Sequence, residues 1–185
     1  MIDKVLADAE ERMKHAVEAL RRELASIRTG RANAALLDKI SVDYSGVMTP
    51  LKQVATISVP ESRLLVVVPW DKTLIGPIRN AITQSDLGLN PISDGQVLRI
   101  PIPPLSGERR RDLVRVAGRK AEEGKVAVRN VRRDDVEALR KRQKAHEVSE
   151  DEVKRAQERL QKLTDKYIAE IDKLHNIKVA ELMET

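Results

Sequence analysis

Pro101-Ile102-Pro103-Pro104-Leu105-Ser106 carries the last three of the chain's eight prolines, all of which fall between Pro50 and Pro104 in 185 residues. Proline removes a backbone donor and clashes with the preceding turn, so it breaks helix interiors. Its confinement divides the sequence into helix, mixed segment and helix. C-terminal to the proline-rich stretch, Leu113, Ala117, Ala121, Gly124, Val128 and Val131 recur at three- and four-residue steps, and Leu139 follows two turns on. They predict a helix from about Gly107 to Ala145. Its stripe is small-sided around Gly118, Ala121 and Gly124, which lets a neighbouring helix come close, although each glycine costs about 1 kcal/mol of helix propensity relative to Ala. His146-Glu147-Val148 reads as a turn. Ser149-Glu150-Asp151-Glu152 then matches the capping-box pattern that opens a helix, striped by Val153, Ala156, Leu160, Leu163, Tyr167, Ile171 and Leu174. At the other end, Leu6, Ala9, Met13, Val17, Leu20, Leu24 and Ile27 predict a helix from Asp3, the expected N-cap, to about Arg28, with Gly30 as its stop.

At 1.5 Å per residue these helices would be, in chain order, about 40, 58 and 52 Å long. None can bury its stripe alone; together they make an elongated antiparallel three-helix bundle. The middle follows another pattern. Ile40, Val42 and Tyr44 alternate with polar neighbours, as do Ala55, Ile57 and Val59; Leu64 to Val68 and Val97 to Ile102 are short strand runs. Ser93-Asp94-Gly95 reads as a turn, and Ile75, Ile78 and Ile82 mark a short helix near residues 76–85. The expected fold class is therefore α+β, with a small β/α/β domain (30–105) inserted into a helical bundle (1–29 and 106–185). Two short connections join them, at Arg28-Thr29-Gly30-Arg31 and at the proline-rich stretch, and such a pair permits a hinge.

Composition narrows the function. Aromatic residues are 2% of the chain, Tyr44, Trp70 and Tyr167 with no Phe, which disfavours modules that stack single-stranded bases on several rings. Without cysteine, disulfides, thiolate catalysis and cysteine–zinc sites are excluded. Met1-Ile2-Asp3-Lys4-Val5 lacks an apolar signal core, and the longest apolar run, Leu64 to Trp70, is far short of the ~20 residues needed to span a bilayer. A cytoplasmic protein is expected. His15, His146 and His175 stand in three separate segments and read as surface or turn residues rather than ligands. Acidic pairs such as Glu10-Glu11 and Glu122-Glu123 diverge by about 100° on a helix and read as solvated faces. No phosphate-cradling glycine loop and no nucleophile elbow occurs. Neither a catalytic residue nor a metal ligand is expected, and the chain reads as no enzyme.

The charge is uneven. From Ser106 to Ala145 fourteen Arg or Lys stand against seven Asp or Glu, so this segment is more basic than the whole chain at +5. Lys125, Arg129, Arg132 and Arg140 project to one flank of the apolar stripe, with Arg133 at the edge of the group. Guanidinium forks suit bidentate phosphate contacts. The plainer alternative is a solvated helix whose arginines pair with acids at i±3 or i±4, as Arg133 could with Glu137. Clustering against acidic flanks favours phosphate, and so few aromatics favour structured RNA or DNA met through backbone and shape.

Ile27-Arg28-Thr29-Gly30-Arg31-Ala32-Asn33 ends the first helix, and Ser85-Asp86-Leu87-Gly88-Leu89-Asn90-Pro91 lies in the middle domain. Pro103-Pro104-Leu105-Ser106-Gly107-Glu108-Arg109-Arg110 opens the second helix, and Val126-Ala127-Val128-Arg129-Asn130-Val131-Arg132-Arg133-Asp134 follows within it. In this order over the chain's length, the four stretches resemble the bacterial ribosome recycling factor family. The resemblance implies an L-shaped two-domain form and a translation factor acting after termination. It implies binding in the ribosomal intersubunit space against large-subunit rRNA, and splitting of the post-termination complex with elongation factor G and GTP. Such a factor hydrolyses nothing itself. No cofactor is expected, and the inward-facing stripes of the helices suggest a monomer. By motif, the resemblance assigns rRNA contact to Arg28, Arg31, Arg110, Arg129, Arg132 and Arg133, with Arg132 the first choice, and a hinge to Gly30, Arg31, Leu105 and Ser106. Two departures stand out: Tyr44-Ser45-Gly46 has one tyrosine where the family commonly has two, and Gly107 stands where it often has an acid. An RNA-binding coiled-coil arm without splitting activity is the alternative; it leaves the inserted domain unexplained. A helical holdase would show an exposed apolar surface instead of clustered arginines.

Overall fold

The computed structural model describes residues 1–184. The chain forms two compact units, Met1–Leu24 with Arg115–Val179, and Ala25–Val114 with residues 180–184. Three long helices contribute to the first: α1 (Ile2–Ala25), α3 (Gly107–Lys144) and α4 (Glu150–Met183). The second contains the strands and a short helix, α2 (Ile75–Gln84). No helix is long and apolar enough, among the described residues, to cross a membrane.

In the first unit the stripes face inward as their spacing predicts. Leu6, Ala9, Met13, Val17, Leu20 and Leu24 of α1 are buried with Ala117, Ala121, Val128, Val131 and Leu139 of α3 and Val153, Ala156, Leu160, Tyr167 and Ile171 of α4. Direction follows from the ion pairs. Arg12 meets Asp134 at 3.4 Å and Glu23 meets Lys120 at 3.3 Å, so α1 and α3 run antiparallel. Lys125 meets Asp172 at 2.5 Å while Arg132 bonds Gln161, so α3 and α4 are antiparallel too. Asp3 with Arg159 and Glu10 with Tyr167 make α1 and α4 parallel. Gly124 packs tightly between its neighbours: a Cβ there would lie 3.2 Å from Leu20 Cδ2 and 3.4 Å from Ile171 Cδ1. At the α3–α4 turn His146 takes a left-handed φ of 58°. The capping box then closes reciprocally, Glu152 N–H donating to Ser149 Oγ at 3.1 Å and Ser149 N–H to Glu152 Oε1 at 3.3 Å.

The second unit holds a hairpin, β1 (Ser41–Tyr44) with β2 (Val47–Pro50), and an antiparallel sheet of β3 (Ala55–Glu61), β4 (Leu64–Pro69), β5 (Ile92–Asp94) and β6 (Val97–Pro101) in the order β3-β4-β6-β5. One sheet face, with Leu65, Val67, Leu98 and Ile100, packs in a core shared with Ile78 and Ile82 of α2. The other face leaves Val68, Trp70 and Ile92 exposed. Pro60 sits on the edge strand β3, where a missing donor costs no ladder bond, beside a register shift between Ser58 and Glu61.

Several boundaries differ from expectation. The first helix ends at Ala25, not near Arg28, so Gly30 is not its stop. The chain leaves the helix because Ile27 and Arg28 are both buried and Arg28 is drawn to carbonyls of the second unit. Asp3 lies inside the first turn, since Val5 N–H already donates to Met1 O, so it is not the N-cap. Ser93 and Asp94 belong to β5, and the turn begins at Gly95 with φ 65°. The compact units divide at 24/25, 114/115 and 179/180.

Candidate nucleic-acid interface

The sequence-predicted arginines fall into two groups, one in each unit. In the first, a face of α3 points away from the bundle core. Arg115, Arg119, Glu122, Val126, Arg129, Arg133, Glu137 and Arg140 are exposed at steps that keep them on that face. Arg129 reaches Glu122 at 3.5 Å between exposed groups, a pairing worth well under 1 kcal/mol. Arg133 projects from the middle of the face.

Arg132 and Lys125 are placed differently. Both are half-buried on the seam with α4. Arg132 Nη1 donates to Gln161 Oε1 at 2.8 Å, and Gln161 donates in turn to Asp165 at 2.9 Å. This chain aims the Arg132 guanidinium while leaving most of its five donors unspent. The flank read from spacing is therefore two adjacent surfaces, an outward one with Arg129, Arg133 and Arg140 and a seam with Lys125 and Arg132. On the opposite side of the helix, Asp134 and Asp135 are engaged with Arg12. Burial pushes the Asp135 carboxyl above its ordinary value, and Arg12 opposes the shift.

In the second unit, Arg31 is exposed and reaches Glu184 at 3.6 Å. Arg110 lies in the first turn of α3, which Ser106 caps by accepting from Arg109 N–H at 3.1 Å; the Arg110 Nε is buried without a partner. Arg28 is 6% exposed. Its Nη1 donates to Leu87 O at 3.2 Å and its Nη2 to Pro103 O at 2.6 Å. Of the six arginines, Arg28 alone is committed to backbone carbonyls and withheld from solvent, so its assignment as an RNA contact does not fit its burial. Arg109, which sequence reasoning passed over, donates to Asp86 O at 2.8 Å. A hollow of about 390 Å³ is lined by Arg28, Asp86, Gly88, Leu105, Ser106 and Arg109. No signal in the sequence distinguishes Arg109 from Arg110 or Arg111. Among the described residues no three His, Asp or Glu side chains converge in a way that could hold a metal ion.

The comparisons with known proteins agree with one another. The ribosome recycling factor family pattern matches residues 20–183. A ribosome-recycling factor of Halalkalibacterium halodurans is 58% identical over 184 residues, covering 100% of both chains, and one of Symbiobacterium thermophilum is 55% identical over the same span. A solution structure of a ribosome recycling factor is similar at TM-score 0.76, with 47% identity over 100% of this chain and 98% of that one. Models for the T. thermophilus ribosome recycling factor and the E. coli elongation factor G bound to the E. coli post-termination complex match at TM-score 0.69, with 46% identity over 100% of both chains. Taken with the helical bundle, the inserted sheet and the arginine face of α3, these matches place the chain in the ribosome recycling factor family.

Proposed function

We propose that this chain is a translation factor that, with elongation factor G and GTP, splits post-termination ribosomes so that subunits, mRNA and tRNA are recycled. The observation that carries the reading is an outward arginine face on α3 in a chain that matches ribosome recycling factors over its full length. Arg129, Arg132 and Arg133, together with Arg31 and Arg110, are the proposed contacts to large-subunit rRNA in the intersubunit space. Guanidinium forks contribute charge and bidentate geometry to phosphate oxygens. The near absence of aromatic side chains fits recognition of backbone and shape over stacked bases.

The factor is not an enzyme on this reading. Hydrolysis of GTP belongs to the partner, and this chain converts the partner's work into displacement of contacts between subunits. It acts in the cytoplasm, as a monomer and without a cofactor. The functional domains are 1–29 with 106–185, and 30–105, with pivots at Gly30, Arg31, Leu105 and Ser106. The test is light scattering from purified post-termination ribosomes mixed with this protein, elongation factor G and GTP. A drop that needs every component and fails in Arg132→Ala supports the reading. No drop, despite salt-sensitive ribosome binding, leaves a passive RNA-binding arm.

A further inference from the structure

Arg28 and Arg109 make three hydrogen bonds to backbone carbonyls, and each bond crosses a proposed pivot. Arg28 precedes Gly30, while its acceptors Leu87 O and Pro103 O lie between the pivots. Arg109 follows Leu105 and Ser106, and its acceptor Asp86 O also lies between them. The two guanidinium groups thus grip consecutive carbonyls of one loop, residues 85–88, from opposite ends of the inserted segment. Gly88 gives the loop its left-handed turn, with a φ of +69° that favours glycine.

The grip is balanced against a repulsion. Burial, and then the charge of Arg109, push the Arg28 pKa below its ordinary value, and the Arg28 Nε is buried without a partner. Two like charges are held together only while their carbonyl bonds are made. Rotation about Gly30 or Leu105–Ser106 has to break those bonds, and the hollow beside them leaves the loop room to move.

We infer that Arg28 and Arg109 form a latch, closed on the 85–88 loop while the factor is idle and pulled open when the inserted domain swings. Arg28 serves this latch and not phosphate binding. The part of the inference that concerns splitting rests on the recycling reading; the latch itself is testable without ribosomes. In Arg109→Ala and in Arg28→Lys, whose ammonium keeps the charge but cannot span two carbonyls, amide hydrogen exchange at Leu87, Gly88, Leu105 and Ser106 should quicken about tenfold or more, with exchange in the first unit unchanged. Unchanged exchange at those four amides in both variants would overturn the latch. Large-subunit binding by Arg28→Ala should keep the wild-type slope of log affinity against log salt. A slope shallower by about 0.7 would make Arg28 a phosphate ligand and overturn its assignment.

The chain has no cysteine, so the pair Asp86→Cys and Arg109→Cys can be bridged selectively by a cleavable dithiol-reactive linker. The bridged protein should bind ribosomes but split them at least tenfold more slowly, with the rate restored when the linker is cleaved. Equal splitting with the bridge intact would refute release of the latch. If the wild type itself does not split ribosomes, the recycling reading fails, and the exchange experiment still decides whether the latch exists.

Discussion

Gly118 and Gly124 sit on one helix and differ chiefly in the room around them, which makes their alanine variants a measured contrast. Replacing glycine by alanine inside a helix removes backbone freedom from the unfolded chain and contributes about 1 kcal/mol at either site. At Gly118 the nearest atom to the new methyl is His175 Nε2 at 3.9 Å, an ordinary contact, so Gly118→Ala should be stabilised by nearly that amount. At Gly124 the methyl lies 3.2 Å from Leu20 Cδ2, 3.4 Å from Ile171 Cδ1 and 3.6 Å from Leu20 Cβ. Leu20 and Ile171 are 4% and 0% exposed, within a core packed as densely as an organic crystal, so neither tip moves freely. Overpacking of this kind costs about 1–3 kcal/mol. Gly124→Ala should therefore fall between neutral and about 2 kcal/mol less stable than wild type, and roughly 1–3 kcal/mol below Gly118→Ala. Urea unfolding followed by helical circular dichroism reads this as opposite shifts of midpoint at constant slope. Equal stabilisation of the two variants would refute the reasoning, since it would mean that α1 and α4 yield to the extra methyl and the close approach at Gly124 does not constrain the bundle.

Ser149→Ala removes the acceptor of the Glu152 N–H and should cost about 1 kcal/mol, read as a lower unfolding midpoint; no loss would show that the α4 cap is not used. Arg133→Ala should leave thermal stability unchanged and reduce the salt slope of large-subunit binding by about 0.7–0.9. Arg132→Ala should match that slope change and also lose about 1 kcal/mol through the Gln161 bond; a slope unchanged in both variants would move the interface off α3. Tyr167 has its pKa pushed up to about 12 by burial and by the Glu10 carboxylate that accepts its proton at 3.0 Å. The unfolded phenol ionises near 10, so above that pH the unfolded state sheds a proton the folded state keeps. Stability is therefore lost as pH rises from about 10 toward 12, by at most about 3 kcal/mol. Tyr167→Phe should flatten that limb, and in a Tyr44→Phe background the one remaining tyrosine should ionise late by ultraviolet absorbance.

The long elements were legible because their signals are redundant. The α3 stripe, its N-terminal serine and the proline barrier before it all point to Gly107, where the helix begins, and the capping box marks the start of α4. The failures occur where the signal is local and tertiary contacts override it. Gly30 and Asp3 are sound stop and start residues by propensity, yet the first helix ends earlier because Ile27 and Arg28 are needed elsewhere, and starts earlier because nothing prevents it. β2 and β5 escape the period-two pattern: Val47, Met48 and Ile92 are exposed, so no alternation of burial distinguishes their strands from loop.

The arginines show a different limit. Counting charge correctly singles out α3, because a surplus of cations on one segment is a property of composition that folding does not alter. What each guanidinium does depends on whether its donors are spent. Arg28, Arg132 and Arg133 are alike in sequence terms, each an arginine in a motif. Folding buries the first and commits it to Leu87 and Pro103, holds the second half-buried with one donor on Gln161 and the rest unspent, and leaves the third in solvent. A charge already desolvated and bonded contributes little to a phosphate approaching from water, because the protein bonds must break first, whereas an exposed fork releases only loosely held counterions. Function on this chain is therefore divided by burial more than by residue type: the solvated arginines of α3 are available to a polyanion, and the buried arginine near Gly30 is available only to the protein itself.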